Sequence, residues 1–172
     1  ALLDERIKKT LTIRQELLQT IQEGSMRMKR IVNNLLDSSR FESGATALKV
    51  EWCDLQDVLG VVLRDMKEQI NRYDVTTTVA MDLPLIRADG VLLEHVFSNV
   101  LDNAMKYSAD GGKIDVQIFV EDQKVVCKIT DQGCGVEKSE VVHIFEKFFR
   151  GKQSKKVAGS GLGLSICKNI IT

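Results

Sequence analysis

The feature that most restricts what this chain can become is a pair of alternating segments past its middle. Ile114, Val116, Ile118 and Val120 are separated by polar residues, and after an Asp122-Gln-Lys124 turn the alternation resumes with Val125, Cys127 and Ile129. A period of two puts these side chains on one face of a β-hairpin. A hairpin with one apolar face is marginal alone, so other elements must cover that face. Helical spacing supplies the cover. Leu92, Leu93, Val96, Val100, Leu101 and Ala104 recur on a helix over 90–107, and Asp54 is placed to cap a helix carrying Leu55, Val58, Leu59, Val62, Met66 and Ile70 on one face. Leu48-Lys-Val-Glu-Trp52 predicts one strand, Val75 to Met81 another, and Ile86 to Ala88, after Pro84, a short third. A last helix is predicted from near Gly161 to the end. Strands with segregated helices define an α+β fold, an open sheet covered on one face.

The first 40 residues follow a different rule. Leu17, Ile21, Gly24, Met28, Ile31 and Leu35 step by four and three, while Arg14, Glu23, Arg27, Lys29 and Arg30 fall outside that line. This heptad-like seam suits helix-on-helix packing and needs a partner helix, from a second chain or from the chain's own domain. Gly44 reads as the helix stop. Residues 1–44 therefore form a helical region and 45–172 a separate domain. The opening Ala, where Met would be expected, points to an excised piece of a longer protein.

Composition narrows the function. Lys plus Arg number 24 and Asp plus Glu 24, so the net charge is zero, which argues against a nucleic-acid or anionic-membrane binder. No apolar run approaches the ~18 residues of a membrane span, so no membrane contact is expected of this piece. The four cysteines, at 53, 127, 134 and 167, contain no Cys-x-x-Cys pair; reduced thiols of a cytosolic domain are the expectation, not a zinc site.

Four stretches carry chemistry. Asn99 and Asn103 stand four apart on one face of the predicted 90–107 helix, with Lys106 three residues on. Asn is a poor helix former, and two stacked carboxamides offer oxygens suited to Mg²⁺ bridged to phosphates. Asp131-Gln-Gly133-Cys-Gly135 follows a strand directly; a carboxylate there, beside glycine backbone that a flat ligand can approach, could accept from an adenine amine. Gly159-Ser-Gly161-Leu-Gly163-Leu-Ser165 runs into the last helix, where glycines expose N–H groups toward an anion and the helix dipole assists. Ile144-Phe-Glu-Lys-Phe-Phe-Arg150 packs three phenylalanines ahead of that strip, either as a core-anchored short helix or as the root of a lid closing over a nucleotide. The basic, aperiodic 149–160 stretch reads as a mobile loop.

Taken together and in this order, these stretches resemble the sensor histidine kinases of the gyrase/chaperone/histidine-kinase/mismatch-repair ATPase superfamily. Glu94 to Ser108 is similar to the N box, Asp131 to Gly135 to the G1 box, Phe145 to Phe149 to the F box and Gly159 to Gly163 to the G2 box. Arg30-Ile-Val-Asn-Asn-Leu-Leu-Asp37, Phe41-Glu-Ser-Gly44 and Lys49-Val-Glu-Trp52 resemble the Kdp-type potassium-responsive sensors. The resemblance implies a two-layer α/β sandwich preceded by the second helix of a dimerisation and phosphotransfer hairpin. It implies ATP with Mg²⁺ held by Asn99 and Asn103, and Lys106 and Tyr107 at the phosphates and nucleotide pocket. Asp131 would meet the adenine amine, with Gly133 and Gly135 shaping its pocket. Phe148 and Arg150 would serve the lid, and Gly159, Gly161, Leu162, Gly163 and Leu164 would cradle phosphate.

The reaction implied is transfer of the γ-phosphoryl group to a histidine, then to a response regulator, in the cytoplasmic portion of an inner-membrane sensor that dimerises through its hairpin. Neither His95 nor His143 matches the family's acceptor motif, a His followed by an acidic residue. The resemblance puts that acceptor shortly before Ala1, and a further strand after Thr172; this piece is therefore expected to bind nucleotide without phosphorylating itself. Two other readings share the nucleotide boxes. A serine-directed kinase of the anti-sigma-factor type would lack the heptad-like helix, and a non-catalytic dimerisation scaffold would not need the N, G1 and G2 positions intact.

Overall fold

The computed structural model describes residues 48–152, 157 and 159–172, together with residues 13, 14, 17, 18, 20–22, 24, 25 and 28 of the first region. Those ten are helical. Leu17, Ile21 and Met28 of the predicted seam are exposed in this chain; Ile31, Leu35 and the Gly44 stop lie outside the described residues.

The domain runs β1 (Glu51–Cys53), α1 (Leu55–Asp65), α2 (Lys67–Ile70), β2 (Asp74–Val79), β3 (Ile86–Ala88), α3 (Gly90–Tyr107), β4 (Lys113–Glu121), β5 (Lys124–Asp131) and α4 (Gly163–Ile171). Strands β2, β4 and β5 form one sheet in the order β2-β4-β5. β2 lies parallel to β4 because the chain crosses over through α3. β5 returns antiparallel after a two-residue turn, with Asp122 and Gln123 both left-handed (φ 47° and 63°); that turn geometry matches the strand twist. Ile114, Val116 and Ile118 are buried, and Thr76, Asp115 and Gln117 interlink by side-chain hydrogen bonds of 2.7 Å on the same strand pair.

The helices close that face as the periodicity requires. Leu55, Val58, Leu59 and Val62 of α1 and Leu93, Phe97, Leu101, Ala104 and Met105 of α3 join the sheet in one core. Asp54 caps α1 by accepting the Gln56 N–H at 2.8 Å. Asp89 caps α3 through the N–H groups of Val91 and Leu92 at 3.1 and 3.3 Å, and its other oxygen takes the Lys49 N–H at 3.0 Å. Among the described residues no helix is long and apolar enough to cross a membrane.

Several expectations need correction. The strand predicted at 48–52 is confined to Glu51–Cys53, with Leu48, Val50 and Trp52 exposed. It pairs with β3 in a separate two-stranded sheet, so the strands do not make a single sheet. The helix expected through Ile70 breaks at Met66, whose N–H turns back to the Val62 carbonyl. Val120, assigned to the buried face, is 47% exposed, one residue from the end of β4. The phenylalanine stretch is not a core-anchored helix: it is a series of turns in which Phe145 and Phe148 are exposed.

Candidate active site

α3 is the spine of the site. Its buried residues face the sheet, and a 3.6-residue repeat then places Asn99, Asn103 and Lys106 on the opposite side. Asn99 is tied at its amide end, with Nδ2 donating to the His95 carbonyl at 3.0 Å. Its oxygen is left facing the start of α4: a Cβ at Gly163 would stand 3.0 Å from Asn99 Oδ1. Asn103 is half-buried one turn on. Lys106 is not a free cation, because its ammonium pairs with Asp102 of the same helix. The four-residue spacing of that pair was readable in the sequence, although Asp102 was not singled out there.

Two turns along, α3 meets the end of β5. A Cβ at Gly133 would lie 2.7 Å from the Tyr107 carbonyl oxygen and 2.7 Å from Asp131 Oδ1. Only glycine therefore lets the chain leaving β5 press against the end of α3. The Gly133 N–H donates to Asp131 Oδ1 at 2.7 Å, which fixes the carboxylate and leaves its second oxygen at the exposed end of the strand. Gly135 is left-handed (φ 69°) with open space where a side chain would stand.

A third junction joins the phenylalanine segment to the glycine strip. The Phe148 N–H donates to the Gly161 carbonyl at 2.9 Å. Gly161 is left-handed (φ 72°), and a Cβ there would fall 2.7 Å from Phe148 C and 2.8 Å from the Phe149 oxygen. Leu162 is buried and Leu164 half-buried, anchoring the strip, while a Cβ at Gly159 would meet nothing within 4 Å. Among the described residues helix α4, unlike α1 and α3, has no side-chain cap at its N-terminus, which leaves its first N–H groups to another acceptor. The Phe148 side chain is exposed, and Arg150 donates to the Val157 carbonyl. Residues 153–156 and 158 of the expected loop lie outside the described residues.

The predicted residues thus fall into a chain of contacts: Asp131–Gly133–Tyr107 at one end of the α3 face, Asn99–Gly163 at the other, and Gly161–Phe148 beside the latter. Asn99 and Tyr107 are eight residues apart, about 12 Å of helix rise. Among the described residues there is no cluster of three or more His, Cys, Asp or Glu able to hold a metal ion. A cation here would take neutral amide oxygens plus oxygens of its own ligand, a donor set that fits magnesium carried on phosphates. The two most buried thiols stand apart from this chemistry. Burial pushes Cys127 and Cys167 up to about 11, and only Cys134 of the four is exposed.

A helical layer over a mixed sheet, with glycine-bordered segments meeting along one helix, defines an ATPase-type domain. Residues 88–172 match the family of histidine kinase-, DNA gyrase B-, and HSP90-like ATPases. The sensor protein KdpD of Escherichia coli is 36% identical over 159 residues, 92% of this chain and 17% of that protein. The alginate biosynthesis sensor protein KinB of Pseudomonas aeruginosa is 33% identical over 174 residues, 99% of this chain and 29% of KinB. The solved structure of the mycobacterial sensor histidine kinase MprB superposes with a TM-score of 0.63 at 33% identity, over 71% of this chain and 78% of that one. The chain belongs to the sensor histidine kinase family and carries its catalytic ATPase domain. It spans less than a fifth of KdpD's length and under a third of KinB's.

Proposed function

We propose that this chain binds Mg-ATP along α3 and serves a sensor kinase that moves the γ-phosphoryl group to a histidine of its helical hairpin and on to an aspartate of a response regulator. The observation that carries this is the double engagement of one helix, at Tyr107 by the Asp131–Gly133 turn and at Asn99 by the start of α4. An extended nucleotide laid between them has a carboxylate for its base amine at one end and uncapped helix N–H groups for its phosphates at the other. Asp131 reads the adenine, with Gly133 and Gly135 leaving room for the ring. Gly159 to Leu164 cradles phosphate, with Phe148 and Arg150 at its border. Tyr107 flanks the pocket, and Lys106 lies on the phosphate-facing side of α3, restrained by Asp102.

Asn99 and Asn103 would hold Mg²⁺, which when bound neutralises phosphate charge. Phosphoryl transfer needs positioning and charge compensation more than a protein nucleophile, and the site offers those. The helical region expected at 1–44 would supply the second hairpin helix, and its described Leu17, Ile21 and Met28, which are exposed, suit dimerisation; 45–172 would be the catalytic domain, in the cytoplasmic portion of an inner-membrane sensor. His95 lies within α3, and His143 is engaged by Glu146 at 2.8 Å; neither is the acceptor. Calorimetric titration is expected to show Mg-ATP binding, and incubation with γ-labelled ATP to leave no acid-labile label on the chain alone. Absence of binding, or label on either histidine, would overturn the proposal.

A further inference from the structure

Between Gly135 and Gly161 the backbone is held by a side chain that none of the nucleotide motifs includes. Glu140 sits in a tightly bonded turn: its N–H reaches the Glu137 carbonyl at 2.8 Å, and its own carbonyl accepts from His143 and Ile144 at 2.8 and 3.1 Å. From this base its carboxylate crosses to the outgoing chain, where Oε1 accepts the Lys152 N–H at 3.0 Å. The glycine at 151 leaves room for that approach: a Cβ there would press on Oε2 and stand 3.1 Å from Cδ of Glu140, and the carboxylate would have to swing aside. Lys152 also reaches Glu137 at 3.5 Å, but that pair is exposed and contributes little.

The residues spanned by this clamp include Phe148, which is left-handed (φ 63°) without being glycine. Such a conformation persists only where the surroundings impose it. On one side the Gly161 carbonyl takes the Phe148 N–H; on the other, four residues on, the Glu140 carboxylate takes a charge-assisted bond from the backbone.

We infer that Glu140 is a positioning residue that, by fixing the chain at Gly151–Lys152, holds the Phe148–Gly161 junction in the shape the phosphate end of the site requires. This rests on the reading that ATP phosphates lie at Gly161–Leu164. The base end, at Asp131 and Gly133, is secured independently by Tyr107, so the two ends of the ligand should respond differently.

The test compares affinities for Mg-ATP and adenosine in the 172-residue chain and in Glu140→Ala, Glu140→Gln and Lys152→Ala, with thermal melting as a folding control. Glu140→Ala is expected to raise the Kd for ATP about fivefold, part of the worth of one such hydrogen bond because Glu140 acts through the Phe148–Gly161 junction, with adenosine affinity unchanged. Glu140→Gln, which keeps an acceptor oxygen and the side-chain volume, should fall between it and wild type and serves if the alanine variant folds poorly. Lys152→Ala keeps the backbone N–H and should match wild type. Parallel loss of ATP and adenosine binding, or an unchanged ratio of the two, would overturn the inference alone. A wild-type chain that binds no ATP would overturn the proposed function and the inference with it.

Discussion

Gly161→Ala puts the convergence of the phenylalanine segment and the glycine strip to a quantitative test. Two costs can be read from the backbone. An L-residue at φ 72° takes a left-handed penalty of roughly 1–2 kcal/mol. The new methyl would also stand 2.7–2.9 Å from the backbone atoms of Phe148 and Phe149, and overpacking of this kind costs about 1–3 kcal/mol. The sum is roughly 2–5 kcal/mol. Phe148 is exposed, so its backbone can yield, and the strain divides. One part stays in the folded chain and lowers stability, about 2–3 kcal/mol, which moves a urea midpoint by about 1–2 M. The part relieved by opening the Phe148–Gly161 junction must be restored when phosphates bind, and 1–2 kcal/mol there weakens ATP about 5- to 30-fold. Urea unfolding and calorimetric titration of the same preparation measure both parts. Gly159→Ala is the control: nothing lies within 4 Å of a Cβ there, and the change should be neutral or stabilise by about 0.4–1 kcal/mol. If Gly161→Ala kept both its stability and its ATP affinity, or if the two alanine variants behaved alike, the junction assigned to Gly161 would be wrong.

Asp131→Asn should weaken ATP and adenosine equally, by about 1.5–3 kcal/mol for a charge-assisted bond; unchanged heats in calorimetry would remove Asp131 from base recognition. Asp89→Ala should cost about 1–2 kcal/mol in urea unfolding, since the carboxylate caps α3 and also holds the Lys49 N–H; a loss under 0.5 kcal/mol would contradict the capping role. For Cys127 and Cys167, burial raises the folded thiols from 9.0 to about 11. The folded state thus holds these protons more tightly than the unfolded one, and the stability they contribute is complete below pH 9 and lost as pH rises through about 11. The wild-type urea midpoint should fall more steeply across that window than that of a Cys127→Val/Cys167→Val variant; equal slopes would refute the assignment.

The elements that could be read from residue order alone are those governed by local rules. Alternation marked the β4–β5 hairpin, helical spacing marked α1 and α3, and Asp54 was placed to cap α1; Asp89, which caps α3 in the same way, was not singled out. The nucleotide motifs were legible for a related reason. Asn99 and Asn103 share a helix face by spacing, and the glycines of the Asp131 and Gly161 stretches have no local use as helix or strand formers. What failed was whatever depends on neighbours distant in the chain. Trp52 alternates like a core residue yet is 69% exposed, because β1 pairs with β3 in a two-stranded sheet apart from the main one. The three phenylalanines look like a packing cluster, yet the segment is held open by backbone bonds to Gly161 and by Glu140.

By itself, then, the sequence determined the class of fold and the alternating faces of its main hairpin, because each follows from chemistry repeated over a few neighbouring positions. Only the tertiary structure decided how the residues of the candidate site meet. That Gly133 must lie against Tyr107, that Gly163 faces Asn99 and Gly161 faces Phe148, and that Lys106 is already paired with Asp102 are outcomes of packing between segments, and for the glycines the deciding quantity is a missing methyl group for which there is no room.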